Sequence, residues 1–171
     1  MDNINSLSVV GHQDITLRKI AMLIICVVIP IGVGAISGFI TKDNMMVFDT
    51  IKKPALTPPA IVFPIAWAIL YVLMGLASYV ALIKSHDLQQ AIYMMYPYAI
   101  QLVLNFMWSI IFFNYNLYHV AFVCLLFLWI MIIRTITFWG TISNLSVILM
   151  MPYVIWVTFA AYLNLSIVML N

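Results

Sequence analysis

Five long runs of apolar residues alternate with shorter polar segments along the chain. The runs cover residues 20–40, 61–83, 91–113, 117–139 and 145–170. Each has the roughly 20 residues that an α-helix needs to cross a bilayer. The runs are apolar on all sides, whereas the strands of a membrane barrel alternate apolar and polar residues. The pattern predicts an all-α integral membrane protein, a bundle of five transmembrane helices.

The connections between the predicted spans differ in length. The first, residues 41–60, has 20 residues, and the other three have seven, three and five. Short connections require neighbouring helices to pack antiparallel. The first connection, which we call the lid loop, is long enough to cover one end of the bundle. Because Pro54, Pro58 and Pro59 favour extended backbone, we expect a semi-rigid lid, with a plain spacer as the alternative.

Residues 1–18 are polar and lack the basic start of a signal peptide, so we expect a short disordered tail ahead of a membrane domain at 19–171. Basic residues near the span ends number four on one side and three on the other, which favours a cytoplasmic N-terminus by one charge. The two groups are Arg18, Lys19, Lys84 and Arg134, and Lys42, Lys52 and Lys53.

Composition agrees with a membrane location, since 66% of the residues are hydrophobic and 7% are charged. Soluble domains have about 25% charged residues. The mean hydropathy is +1.14, and Arg134 is the one charged residue inside a predicted span. We expect its long side chain to extend to the headgroups. With a net charge of +2, no surface for nucleic acid is predicted.

Few residues have the spacing of a catalytic or metal site. His12, His86 and His119 have no second ligand four residues on, so no metal site is predicted. Cys26 and Cys124 lie inside spans without a C-x-x-C motif, and we expect buried thiols rather than a disulfide. No carboxylate lies within a span, which argues against an ion-coupled pump.

Aromatic and amide side chains recur at helical spacing within the spans. One face of the third span carries Gln101, Asn105, Trp108 and Phe112. Either the amides bond across helices while the aromatic rings lie at the membrane interfaces, or these side chains line a ligand cavity. Trp67, Trp108 and Trp156 fall well inside their spans, which favours a cavity. Trp139, close to a span end, is expected at an interface.

The first span contains a G-x-x-x-G motif formed by Gly34 and Gly38. This motif allows two helices to approach closely. The partner helix could belong to a second copy of the chain or to the same chain, and the sequence leaves both alternatives open.

Several motifs point to one family. The segment Phe48 to Pro59 reads FDTIKKPALTPP, and WAILY follows at 67–71. Further matches lie at Gln101, Asn105, Trp108, Trp129, Pro152, Trp156, Asn164 and Asn171. In these residues the chain resembles the TspO/MBR family, that is, the tryptophan-rich sensory protein, translocator protein and peripheral benzodiazepine receptor family. The resemblance covers all five spans and excludes only the N-terminal tail.

The resemblance implies a multi-pass protein of a bacterial cell membrane, usually a homodimer, whose cavity beneath the lid loop binds protoporphyrin IX or haem as ligand. No cofactor is required. Family members also bind benzodiazepine-like and isoquinoline compounds and, in animals, cholesterol. By position, the ligand-binding residues would be Phe48, Pro58, Trp67, Asn105, Trp108, Trp156, Phe159 and Ala160. We expect Lys52 and Lys53 of the lid loop to pair with the ligand's propionates.

Two departures from the family pattern change these expectations. Leu56 stands where the family usually has tryptophan before Thr-Pro-Pro, so one aromatic wall of the lid is lost. Tyr162 is followed by no basic residue in the chain, so sterol binding at that position is weakly supported.

Three functions fit the sequence, and a receptor or regulator of porphyrin homeostasis is preferred. The alternatives are a carrier of tetrapyrroles or small hydrophobic molecules, and a light-dependent enzyme that degrades porphyrin. Trp67 and Trp156 would be catalytic in the enzyme, because photochemistry needs only an aromatic side chain beside an excited ring. The sequence leaves open whether the chain is an enzyme.

Overall fold

The computed structural model describes residues 2–44 and 51–171, with side chains from residue 16 onward. The described chain forms α1 (Asp2–Thr41), α2 (Val62–Lys84), α3 (Leu88–Phe113), α4 (Tyr118–Gly140) and α5 (Asn144–Leu170). Each of these helices contains a segment long and apolar enough to cross a membrane. The predicted five-helix membrane bundle is therefore confirmed.

Local sequence explains where the helices begin. The Asp87 side chain accepts a hydrogen bond from the Gln90 backbone N–H at 2.7 Å and caps α3. Ser143 caps α5 in the same way, and such caps satisfy backbone donors that lack partners within the helix. Asn116, between α3 and α4, has a φ of 55°, a left-handed conformation that asparagine tolerates. These features produce the predicted short antiparallel connections.

The helices contact one another in the order α1, α2, α5, α4, α3 around the bundle, with α1 also touching α3. Because successive helices run antiparallel, the C-terminal ends of α1, α3 and α5 lie together with the N-terminal ends of α2 and α4. The lid loop joins α1 to α2 at this end, which we call the lid end. The opposite end is called the far end.

The middle of the bundle and its far half are closely packed. Met74, Leu128, Ile132 and Met150 are fully buried there. Cys26 and Cys124 are free and buried, which confirms the interpretation of both as buried thiols. The space between α1, α2, α3 and α5 opens toward the lid end.

Two local predictions differ from the structure. The backbone is helical from Asp2, so the polar N-terminal segment extends α1 instead of forming a disordered tail. Adding residues to an existing helix is much easier than nucleating a new one. The division of the chain into an N-terminal segment and a membrane domain at 19–171 stays a prediction. Trp139 is fully buried rather than interfacial, because its indole N–H donates to the Met94 carbonyl at 3.2 Å.

Candidate ligand cavity

A cavity of about 540 Å³ lies at the lid end between α1, α2, α3 and α5. Small-molecule sites in proteins commonly have volumes of about 300–1,000 Å³. Ile31 and Val72 line this cavity and are also exposed, so it reaches the lipid-facing surface between α1 and α2. The predicted residues that line it are Trp67, Asn105, Trp108 and Ala160.

Trp67 lies at the centre of the aromatic residues around the cavity. It stacks on Tyr71, one turn further along α2, with ring centres 5.6 Å apart and planes at 27°. Its ring is 6.2 Å from that of Trp108 on α3 and 6.2 Å from that of Tyr153 on α5. Trp156 approaches edge-on at 6.5 Å. One side chain therefore contacts the aromatic rings of two other helices and fixes the shape of the site.

Two asparagines connect the helices around the cavity. The Tyr71 hydroxyl donates to Asn105 Oδ1 at 2.7 Å, and Asn105 Nδ2 donates to the Tyr153 hydroxyl at 3.2 Å. The Trp108 indole N–H donates to Asn164 Oδ1 at 3.2 Å. At Asn105 and Asn164 the amides bond across helices, as the alternative to a cavity expected, and both residues also line the cavity. Since satisfied polar networks hold their members in one arrangement, the cavity is preorganised.

Gln101 does not follow that expectation. Its side chain is fully buried one turn before Asn105, and neither its amide nitrogen nor its oxygen has a hydrogen-bond partner among the described residues. The helical spacing placed Gln101 on the right face of α3, but spacing does not show whether a partner exists across the bundle.

Small residues of α1 form the remaining wall, and neither the helical spacing nor the family resemblance pointed to them as part of the site. Gly34, Ser37, Gly38 and Thr41 all line the cavity. A Cβ atom at Gly34 would overlap the Tyr71 ring, so the absence of a side chain is necessary there. For Gly34 the structure favours the alternative of packing within the chain. These small residues recur three or four positions apart along α1, and this spacing is the sequence signal that could have identified the wall.

The lid loop is attached to the end of α5 through one side chain. Asn171 Oδ1 accepts a hydrogen bond from the Lys52 N–H at 3.1 Å, and its Nδ2 donates to the Lys52 carbonyl at 3.1 Å. The same Nδ2 lies 3.0 Å from the Ile167 carbonyl within α5. Ile51 packs against the buried core. Asn171 therefore holds the described part of the lid loop close to the cavity.

The other predicted site residues lie in several places. Trp156 and Phe159 are half-buried, with ring centres 5.9 Å apart. Neither is among the residues that line the cavity. Pro58 is half-buried in the lid loop, outside the lining. Phe48 lies outside the described residues. Their roles as ligand contacts stay predictions.

Charge is confined to the surroundings of the cavity. No charged side chain lines it among the residues that the structure describes. In the lid loop, Lys52 is exposed and Lys53 is half-buried. Across residues 16–44 and 51–171, no group of three His, Cys, Asp or Glu side chains is placed to hold a metal ion. The described lining of the cavity is therefore neutral and mainly apolar.

The fold defines a multi-pass integral membrane protein with a cavity of about 540 Å³ that aromatic side chains line at one end of the bundle. Residues 26–170 match the TspO/MBR family, and the chain belongs to that family.

Three relatives illustrate the breadth of the similarity. The chain is 34% identical to the tryptophan-rich protein TspO of Chlorobaculum tepidum, over 90% of this chain and 98% of that protein. It is 31% identical to the tryptophan-rich sensory protein of Cereibacter sphaeroides, with 82% and 85% covered. The translocator protein of Ovis aries is 32% identical, with 74% and 75% covered. The predicted family is therefore confirmed.

Proposed function

We propose that this protein binds a tetrapyrrole, protoporphyrin IX or haem, in the lid-end cavity and acts as a receptor or regulator of porphyrin homeostasis. The observation that carries the proposal is the cavity itself, because Trp67 and Trp108 form part of its walls. The polar groups beside them, Asn105 and Asn164, are neutral and already hydrogen-bonded. A flat aromatic ligand gains stacking there. The name of the Cereibacter relative, a sensory protein, agrees with this role.

A receptor is favoured over a carrier by the packing beneath the cavity. Met74, Leu128 and Val157 are fully buried in the middle of the bundle. Since interiors are packed as densely as organic crystals, a ligand in the cavity meets a closed barrier toward the far end. Release on the side of entry requires no rearrangement of this core, whereas passage through the bundle does.

The experiment that tests binding fills the cavity from α1. Purified wild-type protein is titrated with protoporphyrin IX in the dark, and quenching of tryptophan emission reports occupancy. Gly34→Leu is expected to abolish saturable quenching, because the new side chain overlaps the present position of the Tyr71 ring and both residues line the cavity, so the space for a ligand is reduced. The matched control is Gly32→Leu, since a Cβ atom at Gly32 meets nothing within 4 Å and this glycine does not line the cavity.

Ala160→Leu is a second cavity-filling variant, from α5, in case the α1 variant fails to fold. Normal porphyrin binding by both Gly34→Leu and Ala160→Leu, when both are folded, would refute the site. An equal loss of binding in Gly32→Leu would refute it as well.

Light-dependent degradation is a second candidate, favoured by the Trp67–Trp156 contact at 6.5 Å. A ligand stacked on Trp67 would have two neighbouring indoles available for photochemistry. Illumination of the complex tests this function through the porphyrin absorbance. Bleaching that is faster than for free porphyrin and slower in Trp156→Phe supports an enzyme, while equal bleaching rates support a receptor.

A further inference from the structure

A second pocket, of about 360 Å³, lies at the far end of the bundle between the start of α3 and the end of α4. It is separate from the ligand cavity, with which it shares no lining residue. Its lining includes Asp87, Gln90, Tyr93, Phe138 and Thr141. This combination of a carboxylate, amide and hydroxyl groups and two aromatic rings occurs where α3 and α4 reach the membrane surface.

Tyr93 and Phe138 form an aromatic pair in this pocket. Their ring centres are 5.4 Å apart and their planes meet at 61°. Tyr93 is 66% exposed, so much of its ring is available to an occupant. Ammonium groups are attracted to the faces of such rings because the π-electrons give the face a negative potential.

Asp87 places a negative charge in the same pocket. Its Oδ1 accepts the hydrogen bond from the Gln90 N–H that caps α3, which fixes the carboxylate relative to the helix. A carboxylate has about four acceptor positions, so this bond leaves capacity for a further donor. A primary ammonium can donate to that oxygen pair while it rests on the aromatic rings, whereas a trimethylammonium group has no proton to donate.

Arg134 supplies a positive charge beside the pocket. Its guanidinium carbon is 5.4 Å from the centre of the Phe138 ring, and the residue is exposed one turn deeper along α4. Guanidinium groups bind phosphate through paired hydrogen bonds. The order from the membrane surface inward is therefore a carboxylate, an aromatic pair and a guanidinium.

We propose that this pocket binds the headgroup of an aminophospholipid, with the ammonium on Asp87 and the Tyr93–Phe138 pair and the phosphate on Arg134. In a phospholipid the phosphate is joined to the glycerol and acyl chains and the ammonium lies beyond it, which matches the order of the protein groups. The exposed side chains of Tyr93 and Arg134 place the pocket beside the lipid.

The test measures lipid selectivity of the purified protein in detergent by native mass spectrometry. Phosphatidylethanolamine, phosphatidylcholine and phosphatidylglycerol with identical acyl chains are added at equal concentration. The wild type is expected to retain phosphatidylethanolamine about fivefold over phosphatidylcholine, on the scale of the one hydrogen bond to Asp87 that a trimethylammonium group cannot make. Its margin over phosphatidylglycerol, which has no cation, should be at least as large, because the cation–π contact is lost as well. Asp87→Asn should remove the preference over phosphatidylcholine without unfolding α3, because asparagine is an equally good helix cap.

Tyr93→Leu and Tyr96→Leu form the matched pair. Both tyrosines are exposed on α3, at 66% and 69%, but Tyr96 does not line the pocket. Only Tyr93→Leu should reduce the preference over phosphatidylglycerol, which alone of the three lipids lacks a cation, and Arg134→Gln should weaken retention of all three phospholipids. Dark binding of protoporphyrin IX should stay at the wild-type level in every variant, which checks the fold.

Equal retention of the three lipids by the wild type overturns the proposal, as does equal behaviour of the two tyrosine variants. Soluble glycerophosphoethanolamine is the last arm of the experiment. If it displaces the lipid at equal concentration, the pocket recognises a free headgroup and the assignment to membrane lipid is wrong.

Discussion

Trp67 shows how one residue determines the geometry of the cavity. It stacks on a tyrosine of its own helix and meets aromatic rings of α3 and α5. Aromatic pairs of this kind contribute about 0.5–1.5 kcal/mol beyond their burial. These contacts hold the aromatic wall in one arrangement, so the porphyrin of the proposed function would meet a preorganised surface.

Trp67→Phe should weaken dark binding of protoporphyrin IX about two- to tenfold, because a smaller ring loses roughly 0.5–1.5 kcal/mol of stacking. Equilibrium titration followed by porphyrin absorbance measures the change. Trp129→Phe is the control, since Trp129 is 37% exposed on α4 and donates to Thr158 Oγ1 at 2.9 Å, away from the cavity. Trp139, fully buried, is unsuitable as a control. Equal weakening in the two variants would contradict the assignment.

Residue-level prediction succeeded where side chains form a pattern. Trp67, Asn105 and Trp108 were identified from helical spacing and family resemblance, and all three line the cavity. Gly34 was recognised only as a packing motif, because a glycine's contribution is space, which a pattern of side chains does not reveal. Trp156 contacts Trp67 edge-on without lining the cavity, and its role as a ligand contact stays a prediction.

The lid loop is the element whose attachment the structure explains best. Asn171→Ala removes both hydrogen bonds to the Lys52 backbone. Each such bond contributes about 0.5–1.5 kcal/mol at most, and less when exposed, so we expect porphyrin to dissociate about fivefold faster. Stopped-flow dissociation into excess detergent measures this rate. The control is Ser166→Ala, because the Ser166 hydroxyl bonds only within α5, to the Tyr162 carbonyl at 2.8 Å.

Hydrogen exchange at the Lys52 amide gives an independent measure of the attachment. Unchanged exchange in Asn171→Ala would show that the lid loop is held by other contacts.

The helices themselves were predictable because the bilayer imposes a length and an apolar composition on each span. The predicted third span began at residue 91, whereas α3 begins at Leu88. Hydropathy excluded the polar Gln89 and Gln90, but the Asp87 cap extends the helix over them. The lid attachment could not be predicted, since Asn171 and Lys52 are distant in sequence and their contact depends on how the bundle closes.

Assembly of the whole molecule is constrained by the contacts of α1. The homodimer implied by the family stays a prediction, but Gly34 packs against Tyr71 of its own chain. Gly34→Leu is therefore expected to leave any dimer intact in detergent cross-linking while it weakens porphyrin binding, whereas Gly38, where a Cβ atom meets nothing within 4 Å, has space for a partner helix. Conversion to monomers with normal binding would instead assign the G-x-x-x-G motif to a contact between copies.

The distribution of charge over the molecule leads to a prediction about ligand form. Apolar burial alone does not draw a porphyrin from lipid into the bundle, because acyl chains are as apolar as leucine. Stacking and shape must therefore provide most of the affinity. The described cavity lining carries no charge, so the ligand's propionates are expected at the lid end, near Lys52 and Lys53.

Since exposed ion pairs contribute about 0–1 kcal/mol and are screened by salt, raising the salt from 0.05 to about 0.5 M should weaken protoporphyrin IX binding by up to about fivefold. Protoporphyrin dimethyl ester, which has no carboxylate, should bind with an affinity independent of salt. Lys52→Gln with Lys53→Gln should remove the salt dependence of the free acid and leave the ester unaffected. Equal salt dependence of acid and ester would place the propionates away from these lysines, because only a charged group responds to ionic screening.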